Sequence, residues 1–201
     1  MILYGHPFSN HTRRVQMLCE AAGIAYEFRL VDLAKGEQYG PTFVAINPNS
    51  KVPAIDDDGF LLWDSHAIMR YLADKHGAQN WYPKELKARA RVEQWLDWGH
   101  TRLGPDAGKI AFNVLFMGDK ADKTAIASGR QNLEKILPVL DAQLKSQSHV
   151  CGAAPTLADL SLVTDIAMLD MSGESLTKYP NISAWYARMK ALPSFAKTAP
   201  K

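Results

Sequence analysis

The chain opens on a short apolar run, Met1 to Tyr4, that stops at Gly5-His6-Pro7. So short a run, ended by glycine and proline, reads as a buried strand. The period then changes. Val15, Leu18, Cys19 and Ala22 fall at i, i+3, i+4 and i+7, one face of a helix, and Gly23 offers a C-cap. Tyr26 to Leu33 alternates as a half-buried strand does. Strand, helix and strand in this order predict parallel pairing through a right-handed crossover. Gly36 to Asn49 is less regular, with a short helix near Phe43 to Ile46. Two apolar runs, Lys51 to Ile55 and Phe60 to Trp63, flank Asp56-Asp57-Asp58-Gly59, a strong hairpin signal. Pro53 has no N–H for a ladder, so that strand joins the sheet only after it. Asp64-Ser65 then opens a helix with Ile68, Tyr71 and Leu72 on its inner face and Gly77 at its end.

Residues 77–83, GAQNWYP, read as a linker, and no strand pattern follows them. Lys84 to about Phe116 reads as one long helix, bent at Gly104-Pro105. Leu133, Ile136, Leu137, Leu140 and Leu144 form a helical stripe that Pro138 should kink. Thr156-Leu157-Ala158-Asp159 has the form of a capping box directly before an apolar helix to Leu169. Tyr179-Pro180 starts another helix through Leu192, and a short tail ends the chain. The expected fold is therefore a thioredoxin-like α/β domain over residues 1–77, with a mixed four-stranded sheet, and an all-helical domain over 84–201.

Composition narrows the function classes. Hydrophobic residues make up 47% and charged residues 22% of the 201, which excludes disorder, collagen-like repeats and a disulfide scaffold. Lys and Arg number 23 against 21 Asp and Glu, a net charge of +2, so no field gathers a nucleic acid. A local basic pocket for a small anion is still allowed. No apolar stretch is long enough to span a membrane, and no signal peptide is evident at MILYGHPFSNH, so the expected location is cytoplasmic. Cys19 and Cys151 form neither a CxxC pair nor a zinc set and read as buried or semi-buried thiols in a reducing compartment. The six histidines lack zinc-ligand spacing, and each reads as a surface or helix-end residue; no metal is expected. GxGxxG, GxSxG and HExxH are absent. Gly104 to Lys109 fails as a phosphate loop, because only three residues separate its glycines and Ile110 stands where Ser or Thr is needed.

What is left is a scattered set that a thioredoxin-like fold would gather. Ser9 follows the first strand, at the end where α/β sheets bind ligands, yet it reads equally as a helix N-cap. Val52-Pro53 precedes a strand and reads alone as an ordinary trans turn. Asp64-Ser65 reads alone as capping, and Lys51 as a solvated lysine. Together PFSNHTRRV, NPNSKVPAI, DSHAIMRYL and PTLADLSL resemble the cytosolic glutathione transferase family over essentially the whole chain. GHPFSNHTRRV is most similar to its serine-type branch, the phi and theta-like enzymes and their bacterial relatives.

The resemblance implies roles residue by residue. A hydroxyl at Ser9 would donate to the glutathione sulfur and favour the thiolate, with Asn10 as the rival thiol partner. Val52 before a cis Pro53 would pair with the glutathione backbone. Ser65 would bind the γ-glutamyl carboxylate at a helix N-terminus, and Asp64 the γ-glutamyl amine. Lys51 and Gln38 would meet the glycyl carboxylate. Thr156 and Asp159 would serve folding. Phe8, Trp98, Thr101, Arg102, Pro105, Phe112 and Phe116 would line a pocket for a small hydrophobic electrophile, although large apolar residues in helices are as readily core. No cysteine stands at position 9 or 10, which argues against the mixed-disulfide members of the family. The implied protein is a homodimeric enzyme of detoxification that adds glutathione to an electrophilic carbon, with no cofactor beyond that co-substrate. A glutathione-dependent peroxidase or dehalogenase, or a non-catalytic binding member, is the alternative.

Overall fold

The structure is a computed structural model that describes residues 1–200. The chain divides into two compact units, Met1–Tyr82 joined by the residues from Leu192 on, and Pro83–Ala191.

In the first unit, strand β1 (Ile2–Gly5) is followed by helix α1 (Asn10–Ala22) and strand β2 (Glu27–Leu30), which pairs parallel to β1. A short helix α2 (Pro41–Val44) precedes the hairpin of β3 (Ala54–Asp57) and β4 (Phe60–Trp63), and helix α3 (Ser65–Lys75) follows. The strand order is β2-β1-β3-β4, with β3 antiparallel to both β1 and β4. The mixed four-stranded sheet is thus the expected one. Leu3, Ile55, Val15, Leu18, Ile68 and Leu72 are fully buried where α1 and α3 pack. Burial of each such side chain is worth about 1.5–3 kcal/mol.

Local chemistry sets the element ends. Gly23 caps α1 in the left-handed conformation. Strand β2 is shorter than the alternation suggests, because the Asp32 carboxylate accepts the Ala34 and Lys35 N–H groups and turns the chain. Asp58 and Gly59 both have positive φ, the requirement of a two-residue hairpin turn, and Asp56 Oδ1 accepts the Gly59 N–H at 2.7 Å. Tyr71 departs from its expected inward position. It is half-buried and donates to the Asp57 carboxylate at 2.6 Å, beside an ion pair from Lys75. The Lys75 ammonium and then the Tyr71 hydroxyl hold the Asp57 carboxyl below the usual carboxylate range.

The second unit is helical: α4 (Leu86–Trp98), α5 (Gly104–Phe116), α6 (Lys123–Leu144), α7 (Leu157–Met171) and α8 (Pro180–Lys190). Helices α4 and α5 are joined without a break by a π-type turn at Gly99–Leu103, whose wide hydrogen bond runs from the Gly104 N–H to the Gly99 carbonyl. Pro105 lacks an N–H, and its ring would crowd the carbonyl four residues back; the wider turn accommodates both. Helix α7 is buried on nearly every side, which makes it the centre of this unit. Pro138 lies inside α6, whose Leu133, Leu137, Leu140 and Leu144 are buried. Thr156 and Asp159 close a capping box at the start of α7. No helix among the described residues is long and apolar enough to cross a membrane.

Two further expectations change. Residues from Leu192 on were assigned above to the helical domain, but they include a helix α9 (Pro193–Lys197) and group with the first unit. The Arg13 guanidinium lies 4.1 Å from the centre of the Phe195 ring and donates to the Phe195 carbonyl at 3.0 Å, while Lys197 pairs with Glu20. Such contacts at long sequence separation leave no local pattern. His66, read above as a surface or helix-end residue, sits in the first turn of α3 but is only 4% exposed.

Candidate functional site

The register of the sheet gathers three separate loops at one end. Strand β1 leaves the sheet at Gly5, and β2, parallel to it, leaves beside it at Leu30. Strand β3 enters at this same end, with Ala54 paired to Tyr4, and β4 leaves there at Trp63, also paired to Ala54. So Ser9, Val52-Pro53 and Asp64-Ser65 all lie beyond the carboxyl end of β1, the usual ligand crevice of an α/β sheet. Gly5 permits this crowding. A Cβ there would lie 2.3 Å from Thr12 Cγ2, so only glycine lets α1 start so close to the strand.

Ser9 is the N-cap of α1. Its Oγ accepts the Thr12 N–H at 3.2 Å. That uses an acceptor lone pair and leaves the hydroxyl hydrogen, which meets no acceptor among the described residues. The N-cap and donor readings of Ser9 therefore coexist. Asn10 is the first residue of α1, and its Oδ1 accepts the His11 N–H at 2.9 Å.

The Val52-Pro53 peptide is cis. The Val52 N–H and C=O find no backbone partner among the described residues, although the chain is one residue from entering a strand. An extended ligand backbone can pair there as an added strand does. Pro53 is buried and Lys51 exposed, and the Lys51 ammonium pairs with no carboxylate among the described residues. The Lys51 carbonyl is held by Asn47 Nδ2 at 2.6 Å. Gln38 lies in a 3-10 turn, Glu37–Tyr39, beyond β2. Its Oε1 is buried without a hydrogen-bond partner among the described residues. An acceptor there suits a donor; a carboxylate is met only with the amide turned over.

Asp64 has φ 74° and ψ 121°, a conformation that costs a non-glycine residue about 1–3 kcal/mol. Its Oδ1 accepts the His66 and Ala67 N–H groups at 3.0 and 3.4 Å, and its Oδ2 has no donor among the described residues. The Ser65 N–H, first of α3, has no acceptor among the described residues, and Ser65 is only 4% exposed. An N–H, a hydroxyl and a helix N-terminus at one point suit an anion, and the Asp64 carboxylate beside them suits a cation.

In the helical unit, Arg102, Pro105, Phe112 and Phe116 are exposed, and the two phenylalanine rings lie 6.3 Å apart. Thr101 is exposed but its hydroxyl donates to the Asp97 carbonyl, and Trp98 is half-buried with its ring 5.0 Å from Trp95. Phe8, in the first unit, is 42% exposed one residue before Ser9. The rejected phosphate loop, Gly104 to Lys109, is the first part of α5. Burial pushes the Cys19 thiol up to about 12 and the Cys151 thiol up to about 11, so neither supplies a thiolate near neutral pH. The nucleophile of any thiol chemistry here must come from the ligand.

The chain matches the family described as glutathione S-transferase, N-terminal domain, over residues 1–74 and glutathione S-transferase, C-terminal domain, over residues 99–193. It is 33% identical to glutathione S-transferase theta-3 of Mus musculus, over 94% of this chain and 81% of that protein. It is 32% identical to glutathione S-transferase F10 of Arabidopsis thaliana, over 100% of this chain and 97% of that one. Among solved structures it is similar to a delta-class glutathione transferase of Nilaparvata lugens, with a TM-score of 0.90 at 34% identity over 98% of this chain and 92% of that one. Poplar glutathione transferase F1 gives a TM-score of 0.92 at 27% identity, over 98% and 95%.

Proposed function

The chain belongs to the glutathione S-transferase family and is a glutathione transferase, and on that premise we propose that Ser9 is the residue that holds the bound thiol as thiolate. One observation carries the reading: polar groups on three loops lie at the carboxyl end of β1 with bonding capacity left over. Each matches a part of glutathione. The Ser65 N–H and hydroxyl take the γ-glutamyl carboxylate and Asp64 Oδ2 the γ-glutamyl amine. The Val52 N–H and C=O pair with the cysteinyl backbone. Lys51 meets the glycyl carboxylate, with Gln38 beside it.

The thiol proton leaves to solvent. The Ser9 hydroxyl donates to the sulfur, and the start of α1 adds positive potential. The thiolate then attacks the electrophilic carbon; a carbon–sulfur bond forms, and the bond to the leaving group breaks with its electron pair. Trp98, Arg102, Pro105, Phe112 and Phe116 offer the apolar part of the second substrate a surface carrying one positive charge. Titrating the thiol of bound glutathione by thiolate absorbance tests the reading. We expect an apparent pKa at least about one unit below the roughly 8.5 of a free cysteine thiol. An unshifted titration would overturn it.

Within the family, the reading favours the serine-type, phi and theta-like branch and its bacterial relatives, supported by the theta-3 and F10 relatives. A cytoplasmic, detoxifying homodimer fits that placement. Phe60, Leu61 and Trp63 are exposed on the edge strand β4, apolar surface of the kind a second copy covers. Sedimentation velocity should give the mass of two chains; a monomer across the micromolar range would exclude the dimer.

A further inference from the structure

We propose that His11, held in one tautomer by the buried Arg14, positions the Ser65 hydroxyl and is thereby a positioning residue for the γ-glutamyl carboxylate. The proposal rests on the assignment of Ser65 to that carboxylate.

His11 and Arg14 stand one helical turn apart on α1, and Ser65 begins α3. Arg14 is 1% exposed, one of the largest fully buried side chains of the chain, and its Nη1 lies 3.1 Å from His11 Nδ1. A guanidinium carries only donors. His11 Nδ1 is therefore the acceptor of that bond, and the ring proton sits on Nε2. Ser65 Oγ lies 3.3 Å from the same Nδ1. A nitrogen that already accepts cannot donate to Ser65, so any hydrogen bond between them runs from the Ser65 hydroxyl to the ring.

The consequence is a prearranged donor. The single lone pair of Nδ1 is shared between a permanently charged guanidinium and a hydroxyl, and the guanidinium is the stronger donor. The ring thus fixes where Ser65 Oγ sits while competing weakly for its hydrogen. A carboxylate arriving at the Ser65 N–H takes that hydrogen by rotation about the C–O bond, with no heavy atom moved. Without the ring, Oγ is released to the other two staggered positions. The link between α1 and α3 at the site is lost as well.

His11 is exposed, so its replacement does not open the core. His11→Ala should weaken glutathione binding, measured by calorimetric titration, about three- to tenfold, with kcat within about twofold. His11→Asn, whose side-chain oxygen can accept from both Arg14 and Ser65, should recover most of the loss. In a Ser65→Ala background, His11→Ala should add nothing. Wild-type binding by His11→Ala, or an undiminished loss in the Ser65→Ala background, would overturn the inference while leaving the site reading standing. Wild-type binding by Ser65→Ala alone would remove the hydroxyl from the site reading, and the inference with it.

Discussion

Ser9→Ala should lower kcat with an aryl halide about 10- to 100-fold while changing glutathione affinity less than about threefold. The magnitude follows from the donor. A hydrogen bond to a charged acceptor contributes about 1.5–3 kcal/mol, and a thiolate is charged where the bound thiol is not. The bond therefore stabilises the state that reacts more than the state that binds. The apparent pKa of the bound thiol should rise toward that of free glutathione in the same variant. Part of the rate loss should then return at high pH, where the thiolate forms without help. Ser9 also caps α1, accepting the Thr12 N–H at 3.2 Å. Loss of the cap lowers stability by about 1 kcal/mol, a separate effect that melting reads and kcat does not. Ser9→Thr keeps both cap and donor and should stay near wild type. Asn10→Ala separates the two candidates, since it removes only the amide at the first residue of α1. Normal turnover by Ser9→Ala together with slow turnover by Asn10→Ala would transfer the thiol role to Asn10.

The site is legible in sequence where it is made of chain order. Gly5 before a helix, Pro53 before a strand and Asp64 before a helix mark loops by local rules, and the strand-helix alternation predicts that a mixed sheet joins them. The hairpin follows from Asp58-Gly59 between two apolar runs, because few residues tolerate two successive positive φ values. What escapes is side chains meeting across elements. His11 and Ser65 are 54 positions apart, and neither has a pattern that names the other. Helix α8 starts at Pro180 without a side-chain cap on Tyr179. Asp141 of α6 takes that role, accepting the Asn181 and Ile182 N–H groups at 2.9 and 3.0 Å. The return of residues from Leu192 to the first unit escapes for the same reason, since Arg13 and Phe195 carry it from opposite ends of the chain. Local rules likewise fix Ser65 as a helix start but leave its hydrogen-bond partner unnamed.

Asp159→Ala should produce the largest loss of stability of any single replacement considered, about 3–5 kcal/mol, read as a lower denaturant midpoint. The side chain is fully buried, and its two oxygens serve three elements. Oδ1 accepts the Val150 N–H and the Trp185 Nε1–H, each at 2.9 Å. Oδ2 accepts the Thr156 N–H at 2.9 Å and the Thr156 hydroxyl at 3.2 Å. Burial pushes this carboxyl up from its usual range, and the donors from Val150, Thr156 and Trp185 oppose that push. Alanine leaves all of these donors unsatisfied at once, each costing about 1–3 kcal/mol if no water reaches it. A natural domain holds only about 5–15 kcal/mol in total, so the variant should sit close to unfolding at 37 °C. Asp159→Asn keeps the volume and one acceptor but turns an amide N–H toward donors, so its loss should be intermediate. Trp185→Phe removes one donor and leaves a single Oδ1 bond intact, so it isolates a smaller share. The kinetic readout separates this residue from Ser9: the folded fraction of Asp159→Asn should turn over with wild-type kcat. A wild-type midpoint for Asp159→Ala would mean that the capping box and the tie to Trp185 contribute little. A normal midpoint with low kcat would place Asp159 in the chemistry, against its position inside the helical unit.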